Sequence, residues 1–265
     1  MKQLTAIVTW AVVWSGLSCG LLPAAACAAD ANPAISGEPW SVALGGGVWL
    51  HPRFPGSDAT YAQPLLYFDV HYGDFFLVTG DGLGAYLFRS HGVWAAASIA
   101  PELRERRESD DQRLRGLGDV RRTARAEFQV GYAAGCFTAK ADAATDIAQR
   151  GQGTIVDLTL TTHYPVLGRV HIEGGVAAQW ANRLFNGSFY GVTAPQTMAS
   201  GLPEYSPGRG LDELRAFLGV SFAFDRHWLA VGRIAAVHLT QKASDSPITE
   251  RRNDGEFQLF AAYRF

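Results

Sequence analysis

Three sets of side chains in this sequence could do chemistry. His51, Ser57 and Asp58 supply a base, a nucleophile and an orienting carboxylate within one short stretch, the set an acyl-transfer triad needs. Gly56-Ser57-Asp58 reads more simply as a turn after a strand, and the stretch offers no evident oxyanion hole. No catalytic residue is therefore assigned, and hydrolysis ranks last among the readings below. His163 and His171 flank Pro165–Gly168 on one side-chain parity, where a metal would want them, with Asp157 and Glu173 within conceivable reach. Two imidazoles without a defined third ligand favour plain polar lining, so neither metal nor cofactor is expected. The third set is a mixture of charges on one parity: Arg125, Glu127, Lys140, Asp142, Asp146, Asp157, Arg169, Glu173 and Arg215. If that parity points into an enclosed lumen, these charges either pair across it or leave a narrow selective path. Gly45-Gly46-Gly47 lacks the following helix and Lys of a phosphate loop, so strand bending or close packing explains it better.

The elements that would position these groups are strands. From Gly168 onward, Arg169, His171, Glu173, Ala177 and Gln179 occupy one parity and Val170, Ile172, Val176, Ala178 and Trp180 the other. Asp157, Thr159, Thr161 and His163 oppose Val156, Leu158, Leu160 and Tyr164 in the same way, as Arg125, Glu127 and Gln129 oppose Phe128, Val130 and Tyr132. Twelve strands are expected near 40–51, 61–72, 74–81, 82–90, 92–105, 121–135, 137–148, 153–165, 168–181, 211–224, 227–240 and 256–265. Most have the length a membrane strand needs, and aromatic residues sit near their ends at Trp40, Tyr72, Tyr164, Trp180, Trp228 and Tyr263. Tight turns at Gly73, His91, Cys136, Val166 and Arg226 alternate with longer polar connections at 52–60, 106–120, 182–210 and 241–255. The brief Thr79-Gly80-Asp81 link interrupts this alternation, and if it is one bent strand the count falls to ten.

The chain has 265 residues, with 23 basic against 25 acidic side chains. That near-neutrality excludes a nucleic-acid partner, which needs a basic patch. Met1-Lys2, the apolar stretch Leu4–Leu22 and the small residues around Ala24–Ala29 read as a secretory leader, residues 1–28, cleaved after Ala28 or Ala29. Residues 29–265 would then form a single domain. Cys19 and Cys27 fall in the leader, and Cys136 reads as a small apolar residue near a strand end. No other uncharged apolar run of about 18 residues remains for a helical span. A membrane chain of this kind must therefore be all-β, an antiparallel transmembrane barrel, because only closed barrels and helices satisfy their backbone in lipid. The end of the chain agrees: Phe257, Leu259, Ala261, Tyr263 and Phe265 alternate with the other parity, and Tyr263 and Phe265 have the form of a C-terminal signal for barrel-assembly machinery.

Three stretches resemble the MipA/OmpV family, the MltA-interacting protein family. They are Pro52-Arg53-Phe54-Pro55-Gly56-Ser57-Asp58 with Pro64 after it; Phe189-Tyr190-Gly191-Val192 running on to Ser200-Gly201-Leu202-Pro203-Glu204-Tyr205; and Asp245-Ser246-Pro247-Ile248 before the terminal Tyr263-Arg264-Phe265. Phe54 replaces a more usual Tyr, and the charged run Arg104–Arg122 is peculiar to this chain. The resemblance implies an outer-membrane barrel of a Gram-negative bacterium, surrounded by outer-membrane lipids. It also implies a non-enzymatic scaffold joining a murein hydrolase, a lytic transglycosylase, to a murein synthase. A small porin-like channel is the alternative, which the charged parity would suit. The mixed-sign run at 104–122 reads as a solvated loop, and its arginines would suit lipopolysaccharide phosphates.

Overall fold

A computed structural model describes residues 40–265; the leader expected at residues 1–28 lies outside them. Twelve strands close into one antiparallel barrel: β1 (Trp40–Pro52), β2 (Thr60–Tyr72), β3 (Phe75–Val78), β4 (Gly82–Ser90), β5 (Val93–Glu102), β6 (Thr123–Ala134), β7 (Phe137–Asp146), β8 (Thr154–Leu167), β9 (Val170–Ala181), β10 (Gly210–Ala223), β11 (Trp228–Leu239) and β12 (Asn253–Arg264). Each strand pairs with its sequence neighbour, and β1 pairs with β12 to close the ring. The period-two pattern explains this shape. Leu66, Phe128, Leu158, Leu160, Val176 and Ile234 are exposed on the outside of the wall, an arrangement that water would penalise and lipid rewards. Trp40, Tyr72, Tyr132, Tyr164, Trp228 and Tyr263 form a girdle around the end where connections are tight.

At the β1–β12 seam a side chain on Gly45 or Gly47 would run into the β12 backbone at Ala261 and Leu259. Close approach, one of the two readings of this glycine run, is what the structure has. β3 is much shorter than the 74–81 expected, because Gly80 and Gly82 take left-handed backbone (φ 98° and 75°) and end the strand early. The turn expected at Val166 falls at Gly168–Arg169, after β8 has run on to Leu167.

The long connections are not open loops. Residues 182–209 contain α1 (Arg183–Tyr190) and α2 (Ala194–Ser200), and the β11–β12 connection contains α3 (Gln241–Ser244). Together with a short 3-10 turn at Gln112–Leu114 they form a cap over one end of the barrel.

Candidate functional site

The cap enters the barrel through α1. Asn182 starts this helix by accepting a hydrogen bond from the Phe185 amide at 3.0 Å, and Gly191 ends it. Phe185, Phe189 and Tyr190 then share one face and bury against the inward residues Ala144, Ile155, Ala181 and Leu239. Burial raises the Tyr190 hydroxyl well above its usual range, with Asp212 and Glu213 adding to the effect.

Beneath α1 lies a hydrogen-bonded ionic layer. Glu102 accepts from Arg104 Nη2 at 2.9 Å and from Arg125 Nε at 3.0 Å. Arg125, 2 % exposed, also donates to Gln152 Oε1 (3.1 Å) and to the Gly153 carbonyl (3.2 Å). Both guanidiniums lie over the Phe185 ring, 5.1 and 5.6 Å from its centre. Burial opposes the charge on Arg104, but adjacent Glu102 outweighs it and raises the guanidinium above its ordinary range. Arg104 Nη1 reaches Gln179, and Gln179 donates to Asp212 at 3.1 Å.

Beside this layer is a cavity of about 700 Å³ that runs from the cap at Phe54–Gly56 and Arg107 down the wall to Arg233 and Gln258. Of the residues expected to line a lumen, Arg125, Glu127, Lys140, Asp157 and Arg215 border it. The three basic ones are paired: Arg125 with Glu102, Lys140 Nζ 2.8 Å from Asp81 and 3.5 Å from Asp142, and Arg215 2.6 Å from Glu213. His163, His171 and Glu173 sit deeper, toward the tight turns. Glu173 faces His163 across β8–β9 and pairs with Arg233 at 3.7 Å, whereas His171 stands opposite Pro165. Arg169 is in the turn, at the rim and not in the wall, and donates to the Phe224 carbonyl. Asp142, also expected on the inward parity, borders it too, and so do Asp81, Glu102, Arg104, Glu213, Arg233 and Glu256. The same inward parity marks Glu213 beside Arg215, but nothing local marks Asp81 or Arg104.

Aromatic rings stand below the cavity. Tyr67 stacks on Phe260 with centres 4.4 Å apart, Phe76 meets Tyr86 at 5.2 Å, and the Arg233 guanidinium lies 4.0 Å over Phe217.

The stretches that carried the family resemblance meet in the cap. Gly56 turns with φ 86°, and its carbonyl accepts from the amides of Glu250 (2.8 Å) and Arg251 (3.0 Å). Buried Ser57 accepts from the Ala59 amide, while Asp58 N donates to Glu250. Pro52 ends β1, and Ser246, followed by Pro247, donates to the Tyr190 carbonyl at 2.6 Å. Ser200 donates to Gln196 O, Gly201 ends α2 with φ 78° just before Pro203, and Phe54, Val192 and Ile248 bury together. His51 turns its Nδ1 to the Pro52 carbonyl at 2.7 Å and Ser57 Oγ accepts from the Ala59 amide, so these two atoms are engaged by the backbone.

Arg106 is buried within the 103–122 loop, and its Nε and Nη1 have no partner among the described residues. Burial pulls it down to about 10, against the pull of Asp119 and Glu108, so it stays charged at neutral pH. Arg106→Met is therefore expected to leave stability unchanged or raise it by about 1–2 kcal/mol, since it removes a buried charge whose Nε and Nη1 lack hydrogen bonds among the described residues. A urea midpoint that drops by the equivalent of more than about 1 kcal/mol would contradict this account.

The family model described as MltA-interacting protein MipA matches residues 44–265. MltA-interacting protein of Escherichia coli (strain K12) is 24 % identical over 240 residues, covering 90 % of this chain and 95 % of that protein. The protein of that name from Shigella flexneri gives the same figures. Among solved structures, the anion-selective porin from Comamonas acidovorans superposes with TM-score 0.41 at 9 % identity, over 85 % of this chain and 98 % of that one.

Proposed function

From the premise that this chain belongs to the MipA family of outer-membrane β-barrel proteins, we propose that it is an interaction platform for murein remodelling. In this reading a lytic transglycosylase, and with it a murein synthase, docks on the periplasmic rim after the leader 1–28 is removed and residues 29–265 have inserted. Tyr263 and Phe265 would be the signal read by the barrel-assembly machinery. The observation that supports the reading is the family match over residues 44–265, which covers nearly all of the described chain.

Tight turns face the periplasm in outer-membrane barrels. That rim carries Phe75 and Phe137 exposed beside Arg89, Arg169 and Arg226, an aromatic and basic mixture of the kind that anchors protein interfaces. Affinity capture from detergent-solubilised envelopes, with an unrelated barrel of similar size as control, is expected to recover a murein hydrolase or synthase. Capture is expected to fall in an Arg169→Glu/Arg226→Glu variant. Reproducible absence of both enzymes sinks the platform reading.

The charged cavity favours a second reading, a narrow solute path. Steady single-channel conductance that changes in Glu173→Gln would move it to first place; a silent bilayer would remove it.

A further inference from the structure

The wall of the barrel is incomplete on one side. β3 pairs with β2 only along Asp69–Tyr72, and the last contacts of the β3–β4 turn with β2 come from Thr79, to Phe68 and Leu66. Above that level the outer half of β2, Thr60–Leu65, has no strand beside it on this flank among the described residues. Across the gap, β4 follows β5 only to Ile99, while β5 continues through Ala100, Pro101 and Glu102.

Both free edges carry a proline in the position where an amide would otherwise point into the gap. The Phe68 carbonyl accepts from Thr79 N at 2.8 Å, so even-numbered residues of β2 face the gap, and Pro64 is one of them. Pro101 lies opposite Ala124, whose carbonyl accepts from Ile147 on the far side of β6, so Pro101 faces away from β6 and into the gap. Proline at such edges removes the donors with which a further strand would pair. The gap is thus not built to take up a strand from a protein partner.

It lies within the lipid. Leu66 is six residues along β2 from the girdle residue Tyr72, about 15 Å up a tilted strand and past the middle of an apolar band about 25 Å tall. Leu66, Leu83 and Ile99 are exposed on its outer rim. The inner rim belongs to the cavity: Tyr61, Gln63, Gly80 and Asp81 border it, and so do Pro101 and Leu103.

Beside the gap the cavity holds unspent polar atoms. Trp49 Nε1 and His51 Nε2 are buried with no hydrogen-bond partner among the described residues, and their rings lie 4.2 Å apart, next to Tyr61. The Pro52 carbonyl can only accept, so His51 carries its proton on Nδ1 and offers Nε2 as an acceptor when neutral. A carboxyl group satisfies both atoms, one oxygen accepting from Trp49 Nε1 and the acid proton held between the other oxygen and His51 Nε2.

We propose that this gap is a lateral mouth through which a long-chain fatty acid enters from the outer leaflet, its carboxyl held by Trp49 and His51 in the cavity and its chain lying between the proline edges. The proposal is independent of periplasmic docking. It is tested with the mature protein in phosphatidylethanolamine/phosphatidylglycerol nanodiscs and a palmitic acid bearing a diazirine near the chain end. Cross-links are expected on the residues around Leu66, Ile99 and Leu103, chased by palmitate and not by acetate. Trp49→Phe, which keeps the ring and loses the donor, is expected to weaken labelling about tenfold, the equivalent of one hydrogen bond to an acid head group. Ile99→Trp, which blocks the mouth and leaves the head-group site intact, is expected to abolish it, with heat-modifiable migration showing that both variants fold. Labelling spread evenly around the apolar belt and indifferent to Trp49→Phe means ordinary boundary lipid and overturns the proposal. Labelling chased equally by acetate, or persisting in Ile99→Trp, means entry from water and overturns it too.

Discussion

Replacing Arg125 with methionine is expected to lower the stability of the barrel by about 3–5 kcal/mol, the usual consequence of breaking a buried ion pair on one side. Arg125 is the hub of the layer beneath α1: it holds Glu102 at 3.0 Å, Gln152 Oε1 at 3.1 Å and the Gly153 carbonyl at 3.2 Å. Its loss leaves Glu102, 10 % exposed at the side chain, with Arg104 as its one ion-pair partner among the described residues, and removes the donor to Gln152 Oε1. The diagnostic comparison is Glu102→Gln/Arg125→Met, which removes both charges and is expected to recover part of the loss. Urea unfolding in vesicles reads all three proteins. An Arg125→Met midpoint within about 1 kcal/mol of the parent would show that the pair acts like an exposed one.

Phe185→Ala is expected to cost about 3–5 kcal/mol, spent on the cap and not on the wall. The ring is fully buried, touches Phe189 with centres 4.8 Å apart, and is the surface on which the Arg104 and Arg125 guanidiniums lie. Removing it takes away what holds an eight-residue helix in the mouth, and a helix that short does not persist without packing. Amide exchange of α1 should speed up, and residues 182–209 should become open to protease, while the β-sheet signal and heat-modifiable migration persist. Unchanged protection of α1 would mean that Asn182 and Ser246 hold the helix without the ring.

Strands were readable because their signal is local. Alternation at two residues names the outward face, and it gave β6, β8, β9 and β12 within a few residues of where they lie. β3 is shorter than expected, since Phe75–Val78 is apolar throughout and only the backbone of Gly80 and Gly82 reveals where the strand stops. The cap was invisible for a different reason. Arg183–Tyr190 contains Asn186, Gly187 and Ser188, poor helix formers, and it becomes helical because burying Phe185, Phe189 and Tyr190 in the mouth outweighs propensity. Parity also shows which charges point inward without showing which of them meet. Lys140 finds Asp81, 59 positions away, only once the wall has curved round. Arg169 shows the limit of parity in another form, for a residue on the inward register still ends outside the lumen when the turn reaches it first.

The seam between β1 and β12 bears on the order in which the molecule can be made. Every other pairing joins neighbours in sequence and can form as each hairpin emerges, but Ala43 opposite Arg264 and Leu50 opposite Phe257 must wait for the whole chain. Loop closure over such a span is the slow kind of contact. Until it happens two raw edges stay open, one of them with bare backbone at Gly45 and Gly47 that nothing but a closely fitting strand can cover. The period before closure is therefore when this chain is most exposed to aggregation and most dependent on being escorted, and a side chain added at Gly45 would lengthen that period before it altered anything in the finished barrel.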